Sequence, residues 1–316
     1  MRYVIRADAS RFIGSGHVMR SAAIAEELIS RGEDVVFVGH IFEIPWLSKY
    51  ICGIGFSKII ESELEFVSNP INDVLILDSY ELPINHDFIK SVNWRTVIAL
   101  IDEATPPYEA KLLIHPAIEL GWKPVTNTMF ISGPKYIPLR KSIEKISRGE
   151  TNQDKLEIIV VGGGTDLHNF VEEIATILFK FSHKFQVSLF TNQSYSKKFD
   201  SRFVHIPIGS ELDQKALTAD LVFTTASTSS LEFIAREIAI GIGCAVKNQE
   251  QYYESLSRLN VAAPIGRYIN GKWEIDQSKV KDLLSNSGYR RNLISNCSNI
   301  IDLHGAKRIV DKIKNL

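Results

Sequence analysis

The chain has 316 residues, 45% hydrophobic and 23% charged, with a formal net charge of −1. This is the composition of an ordinary soluble globular protein with room for two domains. It lacks the basic footprint of a nucleic-acid binder or a polybasic membrane patch, and its longest apolar runs, such as Leu156–Val161, are too short to span a bilayer.

The first half alternates short Val/Ile/Leu-rich segments with helix-like ones. Strands are expected at 3–7, 34–39, 74–78, 96–101, 111–115 and 129–132, with the composition of parallel strands buried on both faces. Between the first two lies Ile13-Gly14-Ser15-Gly16-His17-Val18-Met19-Arg20. A helix is expected from Gly16, with Val18, Ala22, Ala25 and Leu28 on its apolar stripe and Gly32 as its terminator. A histidine on a glycine turn between a first strand and a first helix is well placed for chemistry. The glycines admit close approach, and the helix start offers unpaired N–H groups to an anion. His17 reads either as a general base or as a packed helix-start histidine. Asp78-Ser79-Tyr80 follows a later strand and can line the cleft, and the Asp102-Glu103 pair follows another strand end and reads either as a general acid/base pair or as loop caps.

The polar stretch 141–155 reads as an interdomain connection, after which the alternation restarts. Strands are expected at 156–161, 186–190, 203–207, 221–224 and 239–244. Helices are expected at 169–180, 212–218, 231–238, 250–259 and from about 277 to the end. Domain boundaries are read at 1–143 and 144–300, with 301–316 a terminal helix packing back on the first domain. Two Rossmann-like halves imply an interdomain cleft, one half holding a nucleotide and the other the reacting group. Gly14-Ser15-Gly16 lacks the third glycine of the dinucleotide fingerprint, and no Walker-type phosphate loop occurs.

Two further loops carry candidate chemistry. Gly163, Gly164 and Thr165 can cradle a phosphate with backbone N–H groups, while Asp166 reads either as part of that loop or as a helix cap. In the hydroxyl run 224–232, Ser229 and Ser230 can bond phosphate oxygens, and Glu232 either accepts from ribose hydroxyls or merely favours the helix start. The three cysteines are widely spaced, and no His/Cys cluster or H-E-x-x-H occurs, so no metal and no cofactor is expected. With no leader segment read at the start, a cytoplasmic location is expected.

These motifs resemble one family over almost the whole chain: the UDP-2,4-diacetamido-2,4,6-trideoxy-β-L-altropyranose hydrolases of pseudaminic acid biosynthesis, close to the spore-coat polysaccharide proteins. The similarity is carried by Arg6-Ala7-Asp8 with Ile13–Arg20 read as one motif, by Asp78-Ser79-Tyr80-Glu81-Leu82, and by Gly133-Pro134-Lys135-Tyr136-Ile137-Pro138-Leu139-Arg140. Ser229-Ser230-Leu231-Glu232, Lys247-Asn248-Gln249 and Asp302-Leu303-His304-Gly305 extend it. This chain departs from the family pattern at Thr165, Leu167, Ser79, Glu103 and Leu231.

The resemblance implies an α/β, glycosyltransferase-B-like fold of two Rossmann-type domains, with UDP held mainly by the second. It implies metal-independent, inverting hydrolysis of a UDP-sugar with His17 as the catalytic residue. Arg6, Asp8, Gly14, Ser15, Gly16, Arg20, Tyr80, Tyr136, Asn248 and Gln249 are then expected to bind the substrate, Asn248 and Gln249 on its nucleotide side. Gly163, Gly164, Thr165, Ser229, Ser230 and Glu232 are expected on the nucleotide. The partner expected is the UDP-sugar alone, bound by a monomer; the rival reading is a UDP-sugar-dependent glycosyltransferase.

Overall fold

The computed structural model describes residues 1–41, 43–79, 82, 86–90, 92–102, 109–119, 128–146, 155–166, 168–209, 211–298 and 300–316. Tyr80, Glu103, Leu167 and residues 147–154 of the polar stretch lie outside the described residues. The chain divides into unit 1, Met1–Lys141 with Asp302–Leu316, and unit 2, Ser142–Ile301.

Unit 1 is built on parallel strands β1 (Arg2–Ala7), β2 (Asp34–Val38), β3 (Lys58–Ile60), β4 (Asp73–Asp78), β5 (Thr96–Leu100), β6 (Leu112–His115) and β7 (Met129–Ser132). Their spatial order is β3-β2-β1-β4-β5-β6-β7. All six residues of β4 are buried, the expected consequence of helices or loops covering both sheet faces. The chain winds outwards from β1 to β3 and then restarts on the other side of β1 at β4. The order therefore reverses between β1 and β4, which makes the carboxyl ends of these two strands a topological switch point, where open α/β sheets bind ligands.

Helix α1 (Gly16–Ser30) buries Val18, Ala22, Ala25 and Leu28 against this sheet. It ends at Gly32, whose φ of 77° suits glycine and whose N–H bonds Ile29 O. Helix α2 (Pro45–Ile54) and β3 were not expected. The Pro45 start and the Gly55 terminator (φ 98°) frame α2, while a three-residue edge strand is too short to show periodicity.

Unit 2 repeats the plan with β8 (Leu156–Val161), α4 (Phe170–Phe179), β9 (Phe185–Phe190), β10 (Phe203–Ile206), α5 (Glu211–Ala216), β11 (Leu221–Thr225), α6 (Thr228–Ala235), β12 (Ala239–Cys244) and α7 (Glu250–Arg258); the short α3 (Asp87–Lys90) belongs to unit 1. Strands β13 (Ala263–Ile269) and β14 (Lys272–Ile275) extend the sheet to the order β10-β9-β8-β11-β12-β13-β14, with its own switch point between β8 and β11. The β13–β14 pair is antiparallel and turns on Asn270-Gly271, both at positive φ, as a two-residue hairpin requires.

The helix expected from 277 to the end is three helices: α8 (Gln277–Ser285), α9 (Ser287–Cys297) and α10 (Gly305–Lys314). Asn286 ends α8 and caps α9 by accepting from Tyr289 N–H. Asp302, accepting from His304 N–H, starts the return into unit 1. There α10 buries Ile309, Val310 and Ile313 in the core shared with α1, and Arg31 donates to Asp311 at 2.6 Å. Among the described residues no helix is long and apolar enough to cross a membrane.

Gly305 makes the docking of α10 possible. A Cβ at this position would run into the Ile137 carbonyl. Alanine favours a helix over glycine by about 1 kcal/mol, but backbone cannot move aside as a side chain can. We expect Gly305→Ala to cost a net ~1–3 kcal/mol, read as a lower urea midpoint of the full chain. An unchanged or raised midpoint would mean that α10 docks without this close approach.

Candidate active site

The loop after β1 is tied to itself. Gly14 N–H donates to Ser10 O at 2.8 Å, and Ser10 Oγ accepts from Phe12 and Ile13 N–H at 3.2 and 3.1 Å. Gly14 has φ 84°, a conformation that glycine adopts without a steric penalty. Ser15 then occupies the N-cap position of α1 without a side-chain capping bond, and His17 lies buried on the first turn.

His17 is bracketed by two carboxylates from neighbouring strands. Asp78, at the end of β4, lies 3.6 Å from Nδ1, and Asp102, just beyond β5, lies 4.0 Å from Nε2. Neither distance is a hydrogen bond; both are strong electrostatic contacts in a buried setting. One turn along α1, Arg20 joins the two acids. Its Nε and Nη2 donate to Asp78 at 2.7 and 2.6 Å, and its Nη1 and Nη2 donate to Asp102 at 2.9 and 2.8 Å. Ser21 Oγ adds a third donor to Asp78 at 3.1 Å. Beyond Asp102, His115 Nδ1 contacts Ile101 O at 2.7 Å and lies 3.9 Å from Asp102 Oδ1.

These surroundings set the charges. Burial pushes the Arg20 guanidinium down, but Asp102 and Asp78 outweigh it and raise it well above its usual value, so Arg20 stays charged. Burial pushes the His17 imidazole below its usual value; Asp78, Asp102 and Asp8 oppose this, and Arg20 reinforces it. A neutral imidazole at neutral pH is a competent proton acceptor. Burial likewise lowers His115.

Of the other unit 1 candidates, Arg6 and Asp8 pair with each other at 2.6 Å. Arg6 also bonds Glu63 at 2.5 Å, and Asp8 accepts from His40 N–H, so this pair braces the loop behind β1. Tyr136 lies in a short turn, Pro134–Tyr136, within the core shared with α1 and α10. Tyr80 lies outside the described residues. Arg20, expected on the sugar, is instead fully engaged by Asp78 and Asp102. Reading the sequence gave Asp78 and Asp102 little weight; their signal was an acid at the carboxyl end of each of two adjacent strands beside β1.

In unit 2 the loop after β8 faces the loop after β11. Gly163 has φ 81°, and a Cβ there would lie 3.4 Å from Thr225 Oγ1 and 3.9 Å from Ser227 Oγ. Thr225 is 2% exposed, and its hydroxyl has no hydrogen-bond partner among the described residues. A buried hydroxyl aimed at a glycine loop is a donor awaiting an acceptor, yet Thr225 was not singled out in the sequence. Ser229 lies in the first turn of α6. Ser230 is committed elsewhere, donating to Ser227 O at 2.6 Å. Glu232 is buried on the same helix, Asn248 is exposed after β12, and Gln249 accepts from Ala245 N–H at 2.9 Å.

Asp166 closes this loop from below. Its carboxylate accepts from Val171 N–H and from Thr191 Oγ1, each at 3.3 Å, and it fills the space that a Gly162 Cβ would need. It thus serves the first turn of α4, whose N-cap position is held by Asn169 without a side-chain capping bond. Gln193 Nε2 holds the loop carbonyls of Thr165 and Asp166 at 3.2 and 2.7 Å. Trp273 Nε1 holds His168 O at 2.8 Å. Among the described residues no group of three or more His, Cys, Asp or Glu side chains is arranged to hold a metal.

No family model matches this chain, and no curated protein matches it. Solved structures do. The glycotransferase of kitacinnamycin is 12% identical, covering 99% of this chain and 98% of its own, with a TM-score of 0.66. MurG of Acinetobacter baumannii is 12% identical over all of both chains, with a TM-score of 0.60. UGT89C1 of Arabidopsis thaliana, complexed with UDP, is 11% identical over 99% of each chain, with a TM-score of 0.66. The fold is glycosyltransferase-B-like.

Asp166 gives this site a testable proton linkage. Burial, opposed by its bonds to Val171, Thr191 and Phe170 and aided by Glu172, raises its pKa from 3.8 to about 7. From about pH 4 to about 7 the folded chain holds a proton that the unfolded chain has lost, so this group's contribution to stability falls as pH rises through that window and is flat above it. Asp166→Asn keeps an acceptor and a donor without the charge. The melting temperature of the wild type should therefore decline relative to this variant from pH 5 to 7. A difference independent of pH would exclude the linkage.

Proposed function

We propose that this chain is a nucleotide-sugar enzyme that breaks the anomeric C–O bond of a UDP-linked 2,4-diacetamido-2,4,6-trideoxy sugar, releasing UDP and the free sugar with inversion. The observation that carries it is the buried His17, bracketed by Asp78 and Asp102 at the switch point of unit 1, where burial lowers its proton affinity. The resemblance of Ile13–Arg20 to the hydrolase family supports water as the nucleophile. The unit 2 loops support a diphosphate: Gly163 leaves room beside Thr225 Oγ1 and Ser227 Oγ, and the first turn of α6 offers N–H groups and a positive dipole end.

The chemistry follows from these charges. Cleavage builds positive charge on the sugar ring and negative charge on the departing diphosphate. Backbone dipoles and the Thr225 and Ser227 hydroxyls of unit 2 take the negative charge. His17 Nε2 removes a proton from water as its oxygen bonds the anomeric carbon, and the electron pair of the broken C–O bond leaves on the phosphate oxygen. UDP departs as a stable anion, so no acid is needed on that side. A second reading, transfer to an acceptor hydroxyl, is supported by the likeness to solved glycosyltransferases such as that of kitacinnamycin. The same base would then act on that hydroxyl.

The test is UDP release from the UDP-linked sugar with no acceptor present. Wild type should turn over, and His17→Ala should lose ~10²–10⁴-fold in kcat while binding UDP as before. Release that appears only on adding an acceptor would establish the transferase. Thr225→Val should weaken UDP binding about 5–10-fold, the size of one lost hydrogen bond, as measured by calorimetry. Undiminished binding would remove Thr225 from the diphosphate site.

A further inference from the structure

We propose that unit 2 carries an attachment surface for an anionic lipid bilayer, formed by the end of α4 and the connection from β9 to β10, in which an exposed phenylalanine stands within a fringe of lysines. The proposal is independent of the reaction assigned above.

The connection from β9 to β10 runs along α4 from its start to its end. Ser196 N–H donates to the Glu172 carboxylate at 2.8 Å, Lys197 Nζ to Thr176 Oγ1 at 3.2 Å, and Arg202 Nη1 to Phe181 O at 2.7 Å. This path brings the rings of Phe199 and Phe203 to 5.9 and 6.1 Å from that of Phe179, with 5.1 Å between them. Phe203 leads inwards to Phe185, which is buried in the core of unit 2. Phe179 is the outer member of the cluster, 44% exposed, and Phe199 is half-buried against the same core. The exposed ring is thus held from behind by packed aromatic neighbours.

A single exposed ring is ordinary; its surroundings give this one a meaning. Lys155, Lys180, Lys184, Lys197 and Lys198 are all exposed. Lys180 follows Phe179 directly. The backbone bond from Leu156 N–H to Lys184 O, 3.1 Å, sets Lys155 beside Lys184. Lys155 and Lys197 donate to neutral oxygens, those of Gln186 and Thr176. The acids of α4 and of the connection lie elsewhere or are already engaged. Glu172 and Glu173 occupy the first turn of α4, the end away from Phe179, and Asp200 pairs with Arg202 at 2.9 Å. Arg202 also donates to the last carbonyls of α4 and lies over Phe185 at 4.8 Å, so it serves the helix end. The lysines therefore form a local positive surplus on a chain whose formal net charge is −1. Such a patch escapes a reading of the sequence because its lysines come from three separate segments that only the fold joins.

The combination of cations and an apolar ring selects the partner. Lysine ammonium groups on flexible stems are drawn to anionic headgroups over about a Debye length, while a phenylalanine ring enters the boundary between headgroups and acyl chains. An acidic polymer would satisfy the lysines but offers the Phe179 ring no apolar phase to enter.

The experiment sediments the full chain with vesicles of phosphatidylcholine alone or mixed with phosphatidylglycerol. Wild type should pellet with the mixed vesicles at low salt, be released as salt is raised, and stay in the supernatant with phosphatidylcholine alone. Lys198→Glu should weaken binding at least ~5-fold, and Lys197→Glu with Lys198→Glu at least ~25-fold, about fivefold for each lysine removed. Phe179→Ser should weaken it severalfold at every salt concentration. Lys272→Glu, the same charge change on β14 at the opposite edge of the sheet, should bind within twofold of wild type. Melting temperatures report whether each variant is folded, and should Phe179→Ser unfold, the lysine variants decide. Absence of binding to the mixed vesicles at low salt overturns the proposal. So does equal binding to phosphatidylcholine alone, or a loss in Lys198→Glu no greater than in Lys272→Glu.

Discussion

A guanidinium buried in the middle of a sheet's ligand-binding end has to be neutralised, and the site in unit 1 follows from how that is done. Arg20 lies on the core-facing side of α1, where an unpaired cation would cost several kcal/mol. Two acids reach it, from the ends of β4 and β5, with four short donor–acceptor contacts. Once those acids are fixed, His17, three residues earlier on the same helix, lies within 4 Å of each of them. The imidazole is therefore placed by an electrostatic requirement that originates one helical turn away.

The two units reach their sites by the same topology and different chemistry. Each has a first strand with neighbours on both sides, so each has a switch point where two loops diverge and leave a crevice. In unit 1 that crevice is filled with ionised side chains. In unit 2 it is lined by glycine, hydroxyls and a helix start.

Much of this was legible in the sequence. The buried parallel strands were visible because Val, Ile and Leu run together in them, and the His17 turn because Gly14 and Gly16 frame it. The β13–β14 hairpin was missed although Asn270-Gly271 is a strong turn signal, since Pro264 and Gly266 broke the strand pattern around it. The last helices were read as one because the capping role of Asn286 depends on where its side chain points. Asp78 and Asp102 were undervalued for a deeper reason. A strand-end acid is ordinary, and these two gain meaning only once the order β1-β4-β5 brings them to opposite sides of one imidazole. Thr225 was hidden by a run of neighbouring hydroxyls, among which only backbone geometry distinguishes the one facing Gly163.

The loop after β8 shows how burial changes the charge of an acid. Asp166 lies beneath the glycine loop. Its burial raises its pKa to about 7, so near neutrality a large share of the molecules carries it protonated. It keeps its acceptor role toward the first turn of α4 and still occupies the space left by Gly162. The side chain is thus kept as a strut while much of its charge is suppressed. Desolvation here lowers the charge of an acid, whereas in unit 1 it lowers the proton affinity of an imidazole beside two carboxylates.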